Sequence, residues 1–138
     1  MKPARVAEET QVIVESDRDI VAARMRGRAI AYQLGFAAVP ATLITAVISE
    51  LARNILLYAK RGEILLSRIE NGEHRGLSVI ARDEGPGIPD VARALQDGYS
   101  TSGRLGLGLP GVRRLSDDFQ LLSQAGGGTT VKVKIWNR

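Results

Sequence analysis

The chain contains no cysteine, which excludes a disulfide framework and any thiolate metal site. Histidine occurs once, at His74, so multi-histidine zinc centres and His-Glu-x-x-His helices have no material to build on, and no Ser-His-Asp triad is recognised. His74 follows the Asn71-Gly72 turn signal and is expected to be an exposed hairpin residue. Aromatic residues make up only 4%, too few for base-stacking platforms. The net charge is a modest +4, with the arginines spread along the sequence, so no nucleic-acid partner is expected. The densest basic stretch, Arg24-Met25-Arg26-Gly27-Arg28, reads as the solvated face of a helix. A mildly basic chain suits an acidic protein partner or a polyphosphate ligand equally well. The longest apolar stretch, Leu34 to Ile48, is broken by Pro40, Thr42 and Thr45 and falls short of a bilayer span. Met1 to Arg5 lacks an apolar signal core. These absences lead to the expectation of a soluble, cytoplasmic chain with no membrane partner.

What is present is an ordinary globular composition, with 44% hydrophobic and 25% charged residues over 138 positions. That length supports one domain, residues 1–138, with a single core. The fifteen glycines concentrate between Gly85 and Gly128, which marks working loops rather than low complexity. Gln11 to Val14 predicts a strand. Ser16-Asp17 supplies an N-cap for a helix ending at Gly35, and Pro40 fits the first turn of a long second helix closing near Arg61-Gly62. Glu63–Glu70 and Gly76–Arg82 predict a hairpin about Asn71-Gly72. Pro89-Asp90-Val91 opens a short helix to about Asp97, Gly98 to Gly108 is loop, and Pro110 starts a helix through Leu115. A second strand pair spans Phe119–Ser123 and Thr129–Trp136. Because strands and helices do not alternate strictly, the order predicts a mixed, mostly antiparallel sheet with helices on one face, an α/β two-layer sandwich.

Chemistry-bearing residues fall into three groups. Glu50 and Asn54 lie one turn apart at the margin of the apolar stripe of the second helix. A carboxylate held there can serve as a general base, and a neighbouring amide oxygen suits Mg²⁺. Asp83 ends a strand and is followed by Gly85 and Gly87, whose turn permits close ligand approach. An acceptor-only carboxylate at that place can bind an exocyclic amine such as that of adenine. Gly106-Leu107-Gly108-Leu109-Pro110-Gly111 matches Gly-x-Gly-x-x-Gly in form, yet no strand precedes it and no acid follows Asp118 to hold a ribose, so a dinucleotide fold is rejected. As a glycine loop opening onto a helix it can bind phosphate oxygens through backbone N–H groups. Arg104 stands near enough in sequence to meet a terminal phosphate. Leu34 and Phe36 are candidates for an apolar partner surface.

Glu50-Leu51-Ala52-Arg53-Asn54, Asp83-x-Gly85-x-Gly87, Gly106-Leu107-Gly108-Leu109 and Gly128-Thr129 resemble, in order, the boxes of the GHKL ATPase and kinase superfamily over residues 40 to 136. The resemblance implies the Bergerat fold and binding of ATP with Mg²⁺. It makes Glu50 the catalytic base, Asn54 the Mg²⁺ ligand and Asp83 the adenine contact. It places Gly85 and Gly87 at the base pocket, Gly106, Leu107, Gly108 and Leu109 at the phosphates, Thr129 at a base-side hydrogen bond, and Gly98 to Arg104 in an ATP lid.

A free-standing domain of this length with Glu50 in the helix box resembles the serine/threonine kinases that act on STAS-domain regulators. Within them Gly98-Tyr99-Ser100-Thr101-Ser102-Gly103 resembles the switch kinases of the stressosome. That branch implies phosphorylation of STAS proteins followed by activation of a PP2C-type phosphatase. The alternative is an anti-sigma factor kinase that binds a sigma factor and phosphorylates an anti-anti-sigma STAS protein. A second alternative is a binding module for a sigma factor or phosphatase in which ATP is structural or regulatory. Nothing in the sequence specifies an oligomeric state.

Overall fold

A computed structural model of the chain describes residues 5–88, 90–96 and 108–138. The elements run β1 (Arg5–Val14), α1 (Asp17–Gln33), α2 (Ala38–Tyr58), β2 (Gly62–Asn71), β3 (His74–Asp83), α3 (Val91–Ala94), α4 (Gly108–Leu115), β4 (Asp118–Ser123) and β5 (Thr129–Asn137). The strands form one sheet in the order β1-β2-β3-β5-β4, with every neighbouring pair antiparallel. Strand β5 lies between β3 and β4, so the chain leaves the end of β3, passes through α3 and α4, and returns beside its starting point. This return brings Thr129 opposite Asp83.

The core follows from two periodicities. In β3, Leu77, Val79 and Ala81 are buried while Ser78, Ile80 and Arg82 alternate with them, as a pleated strand requires. In α2, Ile44, Val47, Ile48, Leu51 and Ile55 recur at helical spacing and are 2% exposed or less, so this one helix supplies the centre of the core. Helix α1 packs on α2, and Gly27 sits where an added Cβ would meet the end of the Ile48 side chain. Helix α2 is long and apolar enough to cross a membrane by length and composition, although half of its most apolar window is buried inside the protein. It also carries Glu50, Arg53 and Asn54.

Local chemistry sets the element ends. Asp19 accepts the backbone N–H groups of Glu15 at 2.9 Å and Ser16 at 3.1 Å, closing the entry to α1. These bonds, that from Glu15 first, hold the Asp19 carboxyl below its ordinary value. Gly35, at a φ of 85°, turns the chain out of α1. Pro40 and Pro110 each occupy the third residue of their helix, where a missing N–H breaks no intrahelical bond.

Several expectations are corrected. The sheet is antiparallel between all its described strands rather than mixed. The helix after Asp90 ends at Ala94, short of Asp97, and Asp90 is its cap, accepting from Arg93 N–H at 3.0 Å. Helix α4 begins at Gly108, ahead of Pro110. In the β2–β3 hairpin Asn71 pairs with His74, so the turn residues are Gly72 and Glu73, with Gly72 alone at positive φ. Glycine in the first central position is the demand of a type II′ turn. Leu34 and Phe36 are 7% and 4% exposed and belong to the core, not to a surface. His74 is exposed, as are Arg24, Met25, Arg26 and Arg28.

Candidate active site

A pocket opens beside the C-terminal half of α2, lined by Leu51, Asn54, Ile55 and Tyr58. The sheet contributes Ala81, Asp83, Thr129 and Val131, and Ile88 and Leu109 close it from the loops. The walls are mostly aliphatic, with polar groups confined to Asn54, Tyr58, Asp83 and Thr129. That pattern suits a flat, apolar ring carrying a few polar edges.

Asp83 is held by its surroundings. Its Oδ1 accepts the N–H of Gly85 at 2.9 Å and that of Thr129 at 3.2 Å, so the carboxylate is fixed to both the turn and β5. Such charge-assisted bonds each contribute roughly 1.5–3 kcal/mol. The turn is clamped from the β4–β5 hairpin as well. Ile88 N–H donates to Ser123 Oγ at 2.7 Å, and Gly126 N–H donates to the Pro86 carbonyl at 2.8 Å. Two glycines allow this approach. Gly87, at a φ of 82°, leaves no room for a Cβ against the Gln124 carbonyl, and Gly128, also at 82°, leaves none against the Asp83 carbonyl.

Glu50 lies one turn before Asn54 and is only 8% exposed. Its Oε1 accepts the N–H of Gly108, the first residue of α4, at 3.2 Å. A carboxylate on an unpartnered helix N-terminus is favourable both as a hydrogen-bond acceptor and as a charge facing the positive end of the helix dipole. The second oxygen is not required for that contact. The Asn54 amide borders the pocket and makes no hydrogen bond to another described residue, so its oxygen is available to a hard cation. No group of three or more His, Asp or Glu side chains that could hold a metal occurs among the described residues. Asn54 therefore fits a Mg²⁺ that is held mainly by phosphate and water.

Of the residues singled out from sequence, Asn54, Asp83, Leu109 and Thr129 meet around one pocket. Glu50 and Gly108 meet each other beside it. Gly85 and Gly87 shape the Asp83 turn and are not among the lining residues, and Gly85 abuts Ala59 at the end of α2. Arg104, Gly106, Leu107 and the expected lid, 98–104, lie outside the described residues. Sequence reasoning missed Tyr58, Ile88 and Ser123. Tyr58 was open to discovery, because it continues the four-residue spacing of Glu50 and Asn54 onto the next turn of the same face. Ser123 carried no local signal, since its partners come from two other stretches of chain, the turn at Ile88 and Gly128-Thr129.

The chain belongs to the family of histidine kinase-, DNA gyrase B- and HSP90-like ATPases, whose family model matches residues 40–138. Within that family it is a serine/threonine-protein kinase resembling RsbT of Bacillus subtilis (strain 168). The two are 50% identical over 131 residues, covering 95% of this chain and 98% of the relative. The fold is shared with more distant solved structures. The RsbU and RsbW domains of Rv1364c from Mycobacterium tuberculosis superpose with a TM-score of 0.61 at 17% identity, over 96% of this chain and 34% of that one. The SiaB–SiaC complex from Pseudomonas aeruginosa gives 0.57 at 19% identity, over 96% of this chain and 91% of its counterpart.

Proposed function

We propose that this kinase transfers the γ-phosphoryl group of ATP to a serine or threonine of STAS-domain stressosome proteins. It then releases them to engage and activate a PP2C-type phosphatase, all in the cytoplasm. The observation that carries the proposal is the likeness to RsbT along almost its whole length, combined with one pocket that gathers Asn54, Asp83 and Thr129. Asp83 would accept the exocyclic amine of adenine, and the aliphatic walls from Leu51, Ile55, Ala81, Ile88 and Val131 would sandwich the ring. Asn54 would hold Mg²⁺, which when bound neutralises phosphate charge. Glu50 would take the proton of the attacking hydroxyl as the new P–O bond forms and the bond to ADP breaks. The backbone of 106–109 would meet the phosphates, because phosphoryl transfer depends chiefly on positioning and electrostatics.

The deciding experiment incubates the protein with labelled ATP, Mg²⁺ and purified STAS-domain proteins, then maps the modified residue. Phosphate on a STAS serine or threonine, followed by stimulation of a PP2C-type phosphatase by the released kinase, is the expected result. ATP binding without transfer to any STAS protein would overturn the substrate assignment.

A further inference from the structure

Along α2, Val39, Leu43, Glu50 and Asn54 follow one another at spacings of four, seven and four residues, which places all of them on one face of the helix. Asn54 borders the pocket, and Glu50 is covered where it meets the start of α4. The other end of the row stands open: Leu43 is 43% exposed and Val39 72%. Residues 34–49 contain no charged side chain. Thr42 and Thr45, which lie among them, turn their hydroxyls onto the Ala38 and Thr42 carbonyls of the helix itself. The open end of the row therefore presents apolar side chains and no charge.

We propose that Val39 and Leu43 form the docking surface for the protein substrate of this kinase, and that the substrate sets an apolar side chain against them. The inference rests on the proposed function, with ATP in the pocket and Glu50 as the base. In phosphoryl transfer the acceptor oxygen bonds to phosphorus opposite the breaking bond to ADP, while the hydroxyl proton passes to Glu50. The pocket for the nucleotide runs along the C-terminal half of α2, past Asn54 to Tyr58. The acceptor then approaches Glu50 from the other end of the same face, across Val39 and Leu43. At a rise of about 1.5 Å per residue, Leu43 and Val39 lie about 10 and 16 Å from Glu50 along the helix axis. A protein seated with its hydroxyl at Glu50 covers on the order of 800 Å², a disc of about 16 Å radius. Leu43 falls well inside that footprint and Val39 at its margin. The matching surface is apolar, because a charge set against this patch would lose its water and gain no partner.

The test measures transfer kinetics on the full chain with a purified STAS-domain protein, beside calorimetric ATP binding, thermal melting and sedimentation. Leu43→Glu should raise the KM for the STAS protein about tenfold or more, and Val39→Glu by a few-fold, with kcat and ATP affinity close to wild type. Leu43→Lys should match Leu43→Glu, since what is lost is apolar contact whatever the sign of the charge. Leu43→Met should keep the wild-type KM. Met25→Glu, at an exposed apolar residue of α1, should leave every value unchanged. An unchanged KM in both glutamate variants, opposite effects of Glu and Lys at position 43, or parallel losses of kcat and ATP affinity would overturn the inference. So would a wild-type dimer that Leu43→Glu breaks, because the patch would then serve a second copy of the chain. If Leu43→Glu does not fold, Val39→Glu at the more exposed side chain decides, and an unchanged KM there overturns the inference. A wild type that binds ATP but transfers nothing to any STAS protein would overturn the substrate assignment and this inference with it, and it is seen before any substitution is made.

Discussion

Glu50 on α2 accepts the backbone N–H of Gly108 at 3.2 Å, joining two residues 58 positions apart. The contact ties the carboxylate proposed as catalytic base to the mouth of the glycine loop proposed for the phosphates. It gives Glu50 two separable tasks, holding the start of α4 and handling a proton.

Glu50→Gln separates them, because the amide oxygen can still accept from Gly108 while the basic function is lost. ATP affinity and thermal stability should stay close to wild type, and single-turnover phosphate transfer should fall by about 100- to 10,000-fold. Glu50→Leu should in addition lose roughly 1–3 kcal/mol of stability, since a helix N–H is left without its acceptor. Calorimetric ATP binding beside a transfer assay checks both. Full transfer by Glu50→Gln would remove Glu50 from the chemistry.

Asp83→Asn retains an oxygen for the N–H groups of Gly85 and Thr129 but no longer presents an acceptor-only group to the pocket. ATP affinity should drop by about tenfold or more, with little change in melting temperature. Asp83→Ala should lose affinity and also destabilise the turn, by about 1.5–3 kcal/mol for each bond removed. Equal melting temperatures for the two variants would show that the Asp83 bonds contribute nothing to the fold.

Gly126 and Gly128 both have left-handed backbone, at 75° and 82°, but only Gly128 faces an obstacle. A Cβ on Gly128 would lie 2.2 Å from the Asp83 carbonyl, whereas one on Gly126 meets nothing within 4 Å. Gly126→Ala should cost the left-handed penalty alone, about 1–2 kcal/mol. Gly128→Ala should cost clearly more in urea unfolding and weaken ATP binding by displacing Asp83.

Asp19 gives the chain one acid-sensitive helix start. Its carboxyl is lowered from 3.8, first by the Glu15 N–H and further by Ser16, so its charged form is favoured in the folded state. The stabilisation is present above the unfolded value and is lost as pH falls through the lower folded value. Asp19→Asn should therefore melt below wild type at neutral pH, and the gap should close as pH falls below the ordinary carboxylate value of 3.8 and through the lower folded value. A constant gap across that range would exclude the linkage.

Much of the fold was legible because local rules fix it. Ser16-Asp17 marks the start of α1, Gly72 marks the β2–β3 turn, one residue on from the centre of the expected pair, and the four-residue spacing of Glu50 and Asn54 puts them on one face of α2. The errors fall where tertiary contacts override local preference. Pro110 signals a helix start, yet α4 begins at Gly108, where Glu50 accepts the first N–H. Leu34 and Phe36 follow a helix end and were candidates for a surface, but they are buried with the core.

By itself the sequence determined which residue types were available for nucleotide chemistry and in what order they come, since spacing and turn chemistry are properties of a chain segment. The tertiary structure decided which of them share a pocket. Asp83 is fixed by Thr129, 46 positions away, and the turn after it by Ser123, 35 positions from Ile88, because β5 is inserted between β3 and β4. The physical reason is that a hydrogen bond depends on distance and direction in space, and only the folded sheet supplies those.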